Sequence, residues 1–303
     1  MHEAVLLQEV LSLLPTDPNG VYVDGTFGRG GHTRALLAQL GPQARVFGID
    51  RDPQAVAVGK VLEQEDPRFH MVASRFDCLP EIVVAAGEKL AGILLDLGVS
   101  SPQLDNAERG FSFLRDGPLD MRMDPTSGES AAEWLARAQE EEIANVLYRY
   151  GEERKSRWIA KRIVATREDR PLTRTSELAN LISGVLGRGA PGKHPATRSF
   201  QAIRIHVNQE LVALENVLEQ SLEVLKPGGR LAVISFHSLE DRMVKLFLRD
   251  AAGRAPQPRN MPYVEQEEKV QLIGRAIKAN QQEVAANVRA RSAVLRVAER
   301  VAA

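Results

Sequence analysis

Val21-Tyr22-Val23-Asp24-Gly25-Thr26-Phe27-Gly28-Arg29-Gly30-Gly31-His32 falls into two parts, and a third follows it. It opens as a short β-branched and aromatic run, the composition of a buried strand. Four glycines then fall within seven residues, which predicts a tight loop whose backbone approaches a ligand. Beyond the loop, Thr33 to Leu40 has the apolar spacing of a helix, and Gly41-Pro42 stops it. Strand, glycine loop and helix together are the opening of a nucleotide-binding α/β unit.

The acids narrow the choice of nucleotide. A dinucleotide sets its pyrophosphate on the helix N-terminus, where a neighbouring carboxylate repels it. Asp24 stands at the strand tip beside that loop, which suits a cofactor with a cationic head and no phosphate, such as S-adenosylmethionine. The loop Gly28-x-Gly30-x-x-Thr33 also lacks the third glycine of the dinucleotide fingerprint. A second strand, Arg45 to Asp50, ends in an acid roughly twenty residues on, the usual place for a carboxylate on ribose hydroxyls. That acid serves both cofactor types and does not separate them.

The same pattern extends outward. Asp52-Pro53 caps a helix. Phe69 to Ala73 is a third strand, and Phe76 beyond it is either an adenine-stacking aromatic or plain core. Ala91 to Asp96 is a fourth strand, again with an acid at its tip. Asp24, Asp50 and Asp96 then line the carboxyl edge of an open parallel sheet, the edge that binds ligands in such folds. Past Asp96 the periodicity fails. Asn106 to Gly128 mixes Arg109, Phe111, Phe113, Arg115, Met121, Arg122 and Met123, more aromatic than a disordered linker, and reads as a lid or substrate loop.

Ser130-Ala-Ala-Glu133 is a capping box. From there, helical periodicity runs through Trp134, Leu135, Ile143, Leu147, Trp158, Ile159, Ile163, Leu178 and Ile182 without a strand signal. This is an all-helical insertion in an α/β chain. Its cations cluster: Arg154, Lys155, Arg157, Lys161, Arg162, Arg167, Arg170 and Arg174, and then an acid-free stretch from Leu178 to Gln209 carrying Arg188, Lys193, His194, Arg198 and Arg204. In a chain of net charge -1 such local bias points to a phosphate-binding face. The sheet resumes after a helix from Val207 to Leu225. Lys226-Pro-Gly-Gly229 turns into a fifth strand, Arg230 to Ser235, and Ser238-Leu-Glu-Asp241 caps the next helix. His237 and Asp241 at that strand end are either catalytic or an ordered turn. Val270 to Ile273 and Ser292 to Ala298 complete the sheet as an antiparallel pair.

With 303 residues, 44% of them hydrophobic, the chain can bury a real core. One cysteine, Cys78, excludes a disulfide framework and a multi-cysteine zinc site, and no metal is expected. The first residues read as an amphipathic helix rather than a signal peptide, and no apolar run reaches membrane-spanning length. A soluble cytoplasmic protein is expected.

Longer motifs then narrow the reading. Asp24-Gly-Thr-Phe-Gly-Arg-Gly-Gly-His32, Asp50-Arg-Asp-Pro53, Leu94-Leu-Asp-Leu-Gly-Val-Ser-Ser-Pro-Gln103, Arg109-Gly-Phe-Ser-Phe113, Leu119-Asp-Met-Arg-Met-Asp-Pro125, Tyr150-Gly-Glu-Glu-Arg154, His194-Pro-Ala-Thr-Arg198, Ser235-Phe-His-Ser-Leu-Glu-Asp-Arg242 and Arg289-Ala-Arg-Ser292 strongly resemble the RsmH (MraW) family. The resemblance spans the chain. It implies a Rossmann-like methyltransferase sheet, residues 1–104 and 207–303, interrupted by a substrate loop and helical domain at 105–206. It further implies S-adenosylmethionine as cofactor and, as target, the N4 amine of a cytosine near the decoding site of 16S ribosomal RNA in the small subunit. Carried over by motif, Gly30, Gly31, His32, Asp50, Phe76, Asp96 and Gln103 contact the cofactor, beside Asp24 and Gly28 of the loop.

Many amino-methyltransferases place an acid or amide, two prolines and an aromatic after the fourth strand. Here that position offers Asp96 with Ser100, Ser101 and Pro102, and Asp96 is the expected proton acceptor. No aromatic follows, so Phe111 or Phe113 must stack on the base. Arg109, Lys193, His194 and Arg198 are the further residues expected to meet RNA. Two rivals stand: an NAD-dependent dehydrogenase, disfavoured by Asp24 and the missing glycine, and a non-catalytic ribosome-assembly factor.

Overall fold

The computed structural model describes residues 4–187, 194–257 and 266–302, and the chain divides into two compact units, Met1–Gly98 with Val212–Ala303, and Val99–Leu211. The chain is a mixed α/β protein. Its strands are β1 (Val21–Asp24), β2 (Arg45–Asp50), β3 (Phe69–Ala73), β4 (Leu90–Asp96), β5 (Leu225–Ser235), β6 (Val270–Leu272), β7 (Ile277–Lys278) and β8 (Val294–Arg300). Its helices are α1 (Leu7–Leu13), α2 (Gly31–Gln39), α3 (Pro53–Glu65), α4 (Leu79–Ala86), α5 (Ser101–Asp105), α6 (Ala131–Arg137), α7 (Glu140–Gly151), α8 (Ser156–Asp169), α9 (Thr175–Leu186), α10 (Thr197–Asn208), α11 (Glu210–Val224), α12 (Ser238–Ala251) and α13 (Gln281–Ala286). None of the described helices is long and apolar enough to cross a membrane.

The first unit holds one sheet in the order β3-β2-β1-β4-β5-β8-β6, with β7 also paired to β8. The first five strands are mutually parallel, and β8 runs against both β5 and β6. Alternation along the strands buries both faces. Tyr22, Val46, Phe69, Met71, Leu94 and Ile234 pack with Val10, Leu36, Leu37 and Leu62, while their neighbours Val23, Phe47, Ile49, Ile93, Leu95 and Val233 are equally buried. Successive strands step one way from β1 to β3 and the other way from β4 to β5. The order therefore reverses between β1 and β4, the switch point where such sheets hold ligands.

Several local expectations shift. The turn before β5 lies inside that strand: Leu225 pairs with Leu90 and Arg230 with Gly92, so Lys226 to Gly229 bulges out of the ladder. Gly229 has no room for a side chain there, since a Cβ would stand 2.8 Å from the Leu90 carbonyl oxygen. The single helix expected from Val207 is two. Gln209 (φ 51°) breaks it, with α10 closing before it and α11 opening after it. At the chain start, Leu6 (φ 54°) delays α1 to Leu7.

The second unit has its own core, in which Trp134, Leu135, Ile143, Leu147, Ile159, Ile163, Leu178, Ile182, Phe200 and Ile203 interlock. Helix α6 starts in the expected Ser130–Glu133 capping box. The irregular stretch before it is pinned rather than loose. The Leu119 amide donates to the Thr173 carbonyl (2.8 Å) and that of Thr175 to Gly117 (2.9 Å). Asn208 accepts from the Met123 amide at 2.8 Å and donates to the Met121 carbonyl at 2.7 Å. Those two bonds hold Met121 at φ 63°, a conformation that costs a non-glycine residue on the order of 1–3 kcal/mol. Trp158, expected in this core, is 69% exposed.

Candidate active site

Three carboxylates end three neighbouring parallel strands: Asp24 on β1, Asp50 on β2 and Asp96 on β4. The glycine loop leaves β1 between them. Gly25 donates to the Leu94 carbonyl (2.9 Å) and Phe27 to that of Ile49 (3.0 Å), so the loop is stitched to both flanking strands. Gly28 (φ 55°) and Gly30 (φ 74°) take left-handed backbone, and a Cβ on Gly30 would strike the Phe27 ring at 2.8 Å. Helix α2 then begins at Gly31 with no side chain capping it. Phe76 is half-buried against the loop, its Cβ 3.3 Å from where a Cβ on Gly25 would stand.

The three acids are not equivalent. Asp50 accepts from the Gly28 amide through Oδ2 (2.8 Å) and from the Asp52 amide through Oδ1 (2.9 Å). It therefore clasps the glycine loop to β2, and burial raises its pKa above the usual carboxylate range. The Arg51 amide also bonds it, and since a carboxylate has about four lone-pair directions, it can still accept a hydroxyl.

Asp24 was expected to face a cationic ligand, but only 2% of it is exposed. Its Oδ2 accepts from Thr33 Oγ1 on α2 at 2.6 Å and its Oδ1 from the Thr26 amide at 3.2 Å, so it locks the loop to the first turn of that helix. Burial raises its pKa against the Thr33 hydrogen bond. A pKa above the unfolded value means that the charged form costs stability at neutral pH, a cost that fades as pH falls through the raised value. In Asp24→Asn, Oδ1 can still accept from Thr26 and Nδ2 can donate to the Thr33 hydroxyl. Its unfolding midpoint should equal or exceed the parent's near neutrality, with the gap closing in acid. A variant less stable at neutral pH would show that the fold favours the charge.

Asp96 is tied at its backbone, where its amide donates to Thr26 Oγ1 at 2.6 Å. Its side chain meets His32, with Oδ2 3.6 Å from Nε2, a charge pair beyond hydrogen-bond length. Asp96 Oδ1 and both ring nitrogens of His32 are buried without a hydrogen-bond partner among the described residues. Burial alone lowers the His32 pKa, but the carboxylates of Asp96, Asp24 and Glu283 outweigh it and raise the value above 6.5. The stabilisation from charged His32 is thus fully present below about pH 6.5 and is lost as pH rises through the raised value. His32→Gln should cost more thermal stability at about pH 6 than at about pH 9. Equal losses at both would mean that the folded protein holds a neutral imidazole.

The remaining predicted residues sort as follows. Ser100, Ser101, Pro102 and Gln103 belong to the second unit, at the start of α5. Gln103 Oε1 accepts from the Ser100 amide (2.9 Å), so the buried Gln103 serves as a cap there. Arg109, expected at RNA, is 8% exposed and donates to the Arg122 and Met123 carbonyls (3.1 and 2.7 Å) with its guanidinium near the Phe111 ring. It braces the loop from within. Phe111 is buried in the second core. Phe113 is half-buried, stacked on the exposed His194 with ring centres 4.4 Å apart and edge-on to Phe200. Arg198 is exposed, one nitrogen 3.4 Å from the Glu152 carbonyl. Lys193 lies outside the described residues, as does Arg188.

Of the two readings open for His237, the ordered turn is the one found. His237, not Ser238, caps α12; its Nδ1 accepts from the Glu240 amide (3.4 Å), and Glu240 answers the Phe236 amide at 2.9 Å. Asp241 pairs with Arg296 (2.8 Å). Thr26 and Thr33 went unread in the sequence. Their signal was only that each is a hydroxyl close in sequence to Asp24.

The model of the MraW methylase family matches residues 1–301, and the chain belongs to that family. A protein of Alcanivorax borkumensis named Ribosomal RNA small subunit methyltransferase H is 65% identical over 99% of this chain and 97% of its own length. One of the same name from Thioalkalivibrio sulfidiphilus is 57% identical, covering 99% and 98%. The solved structure of an rRNA methylase from Streptococcus thermophilus aligns over 100% of this chain and 99% of its own, at 11% identity and a TM-score of 0.44.

Proposed function

We propose that the chain transfers a methyl group from S-adenosylmethionine to the N4 amine of a cytosine in 16S ribosomal RNA, near the decoding site of the small subunit. The observation that carries this reading is the acid-lined switch point. Asp24, Asp50 and Asp96 surround a glycine loop where a pyrophosphate would be repelled and a sulfonium and ammonium would be welcome. The buried, unanswered atoms of Asp96 and His32 fit a polar ligand of that kind. The relatives' shared name supports the RNA substrate.

In this reading the Gly28–His32 loop and Asp50 hold the cofactor, Asp50 on its ribose hydroxyls and Phe76 on its adenine. Asp24 keeps the loop in shape. When bound, the cofactor supplies an electrophilic methyl group. The cytosine amine is a poor nucleophile because its lone pair is delocalised into the ring. Asp96 Oδ1 takes a hydrogen bond from that amine and receives its proton as the nitrogen becomes tetrahedral. The His32 ring lies beside it, Nε2 3.6 Å from Oδ2, which leaves Oδ1 to face the amine. The target base leaves its stack to reach that carboxylate.

Incubation of the protein with labelled cofactor and small subunits lacking the modification should place label in N4-methylcytidine, read by nucleoside mass spectrometry. Subunit binding with no transferred label would favour the assembly-factor reading. Cofactor-dependent hydride transfer would favour the dehydrogenase. Phosphate contacts position an RNA without reading its sequence, so a folded subunit should outperform a short oligonucleotide. Arg198→Glu should raise KM for the subunit and flatten the salt dependence while leaving cofactor affinity unchanged. An unaltered KM and salt slope would make Arg198 ordinary solvated surface.

A further inference from the structure

Helix α8 carries two faces. Ile159, Ala160 and Ile163 enter the second core. The opposite face presents Arg157, Trp158, Lys161, Arg162 and Ala165, all exposed, and Lys155 precedes it. With Val185 of α9, this face lines an open groove of about 500 Å³ whose other lining residues are Lys155, Trp158, Lys161, Arg162 and Ala165. Among these lining residues is Trp158, 69% exposed. None of Lys155, Arg157, Lys161 and Arg162 forms a salt bridge among the described residues, and no acid occurs in the sequence between Glu153 and Glu168. The groove therefore combines an exposed aromatic side chain with cations that form no salt bridge among the described residues.

We infer that this groove docks a single-stranded segment of RNA, one unpaired base lying on the Trp158 indole and its flanking phosphates on Lys155, Lys161 and Arg162. The inference rests on the RNA substrate proposed above and adds to it a second contact, on the helical unit, that reads strandedness. An aromatic plane and a set of cations side by side match a polymer that alternates flat rings with anions. Duplex RNA satisfies only half of the feature, because its bases are stacked on one another and withheld from the indole. An acidic protein segment likewise answers the cations and not the plane.

The chain's two tryptophans make this measurable. Trp134 is 1% exposed, its Nε1 donating to Glu142 at 2.8 Å, and serves as an internal reference. Titration of the full chain with a short oligo(U) should quench the fluorescence of Trp158, and Trp158→Leu should abolish that change and weaken binding roughly 5- to 100-fold with the salt slope kept. Trp158→Phe should restore part of the affinity. Lys161→Glu with Arg162→Glu should lower the salt slope instead. Duplex RNA of equal length and polyglutamate should bind without quenching and without regard to Trp158. Equal binding of oligo(U) to the parent and Trp158→Leu, or equal quenching by the duplex or by polyglutamate, would overturn the inference. Transfer of methyl to small subunits is scored separately. Transfer that persists beside indifferent Trp158 variants removes this contact alone, whereas no transfer to any RNA removes the function on which it rests.

Discussion

Asp96→Asn should slow methyl transfer to the small subunit by about two to four orders of magnitude, the range for losing a positioned proton acceptor, while cofactor affinity should change far less. The asparagine keeps the size of the side chain and leaves the amide bond to Thr26 Oγ1 intact, since that bond belongs to the backbone. What it loses is the negative charge beside His32 and the basic oxygen at Oδ1. Single-turnover rates with saturating cofactor, set against calorimetric affinity, separate the two effects. Equal losses in rate and affinity would make Asp96 a cofactor ligand only.

The second large effect falls on binding. Asp50→Ala should weaken S-adenosylmethionine binding by about 1.5–3 kcal/mol, the range for hydrogen bonds to a charged group. Two causes act together: the ribose hydroxyls lose their acceptor, and the Gly28 amide loses the oxygen that fixes the glycine loop to β2. Because burial raises the Asp50 pKa, affinity should already decline above the ordinary carboxylate value of 3.8 as pH falls, and the alanine variant should lack that decline. Calorimetry across acidic to neutral pH reads both. Unchanged affinity at neutral pH would remove Asp50 from the ribose.

Much of the sheet was legible because a strand buried on both faces must be an apolar, β-branched run, as in Val21 to Val23 and Leu90 to Leu95. The acids at the strand tips stood out because each interrupts such a run. What escaped was direction. Asp24 sits one residue from a glycine loop, and nothing local says that its carboxylate turns toward Thr33 rather than outward. Arg109 reads as a surface cation until the Arg122 and Met123 carbonyls, thirteen and fourteen residues on, are brought to it. In α8, Trp158 and Ile159 are adjacent and about 100° apart around the axis, so both cannot head the same apolar stripe. Ile159 shares its phase with Ile163 and takes the core, which leaves Trp158 in phase with Lys161, Arg162 and Ala165. Periodicity alone offered either choice. By residue type Ser238 reads as the cap of α12, since a hydroxyl is the commoner cap, but the spacing that matters runs from His237 to Glu240.

The position of β8 has a consequence for how the chain is made. It is the last strand along the sequence, yet it lies between β5 and β6 rather than at an edge, and it alone reverses direction between them. The sheet therefore cannot be laid down in the order of synthesis. As the chain emerges, β5 has no partner on one side and β6 no place to attach until residues 294–300 arrive. The contiguous second unit, by contrast, has all of its core in hand once residue 211 is out. A nascent chain of this protein thus carries a finished helical unit beside a half-built sheet with an open edge, the condition in which chains aggregate or need chaperones, and closing it falls to the final strand.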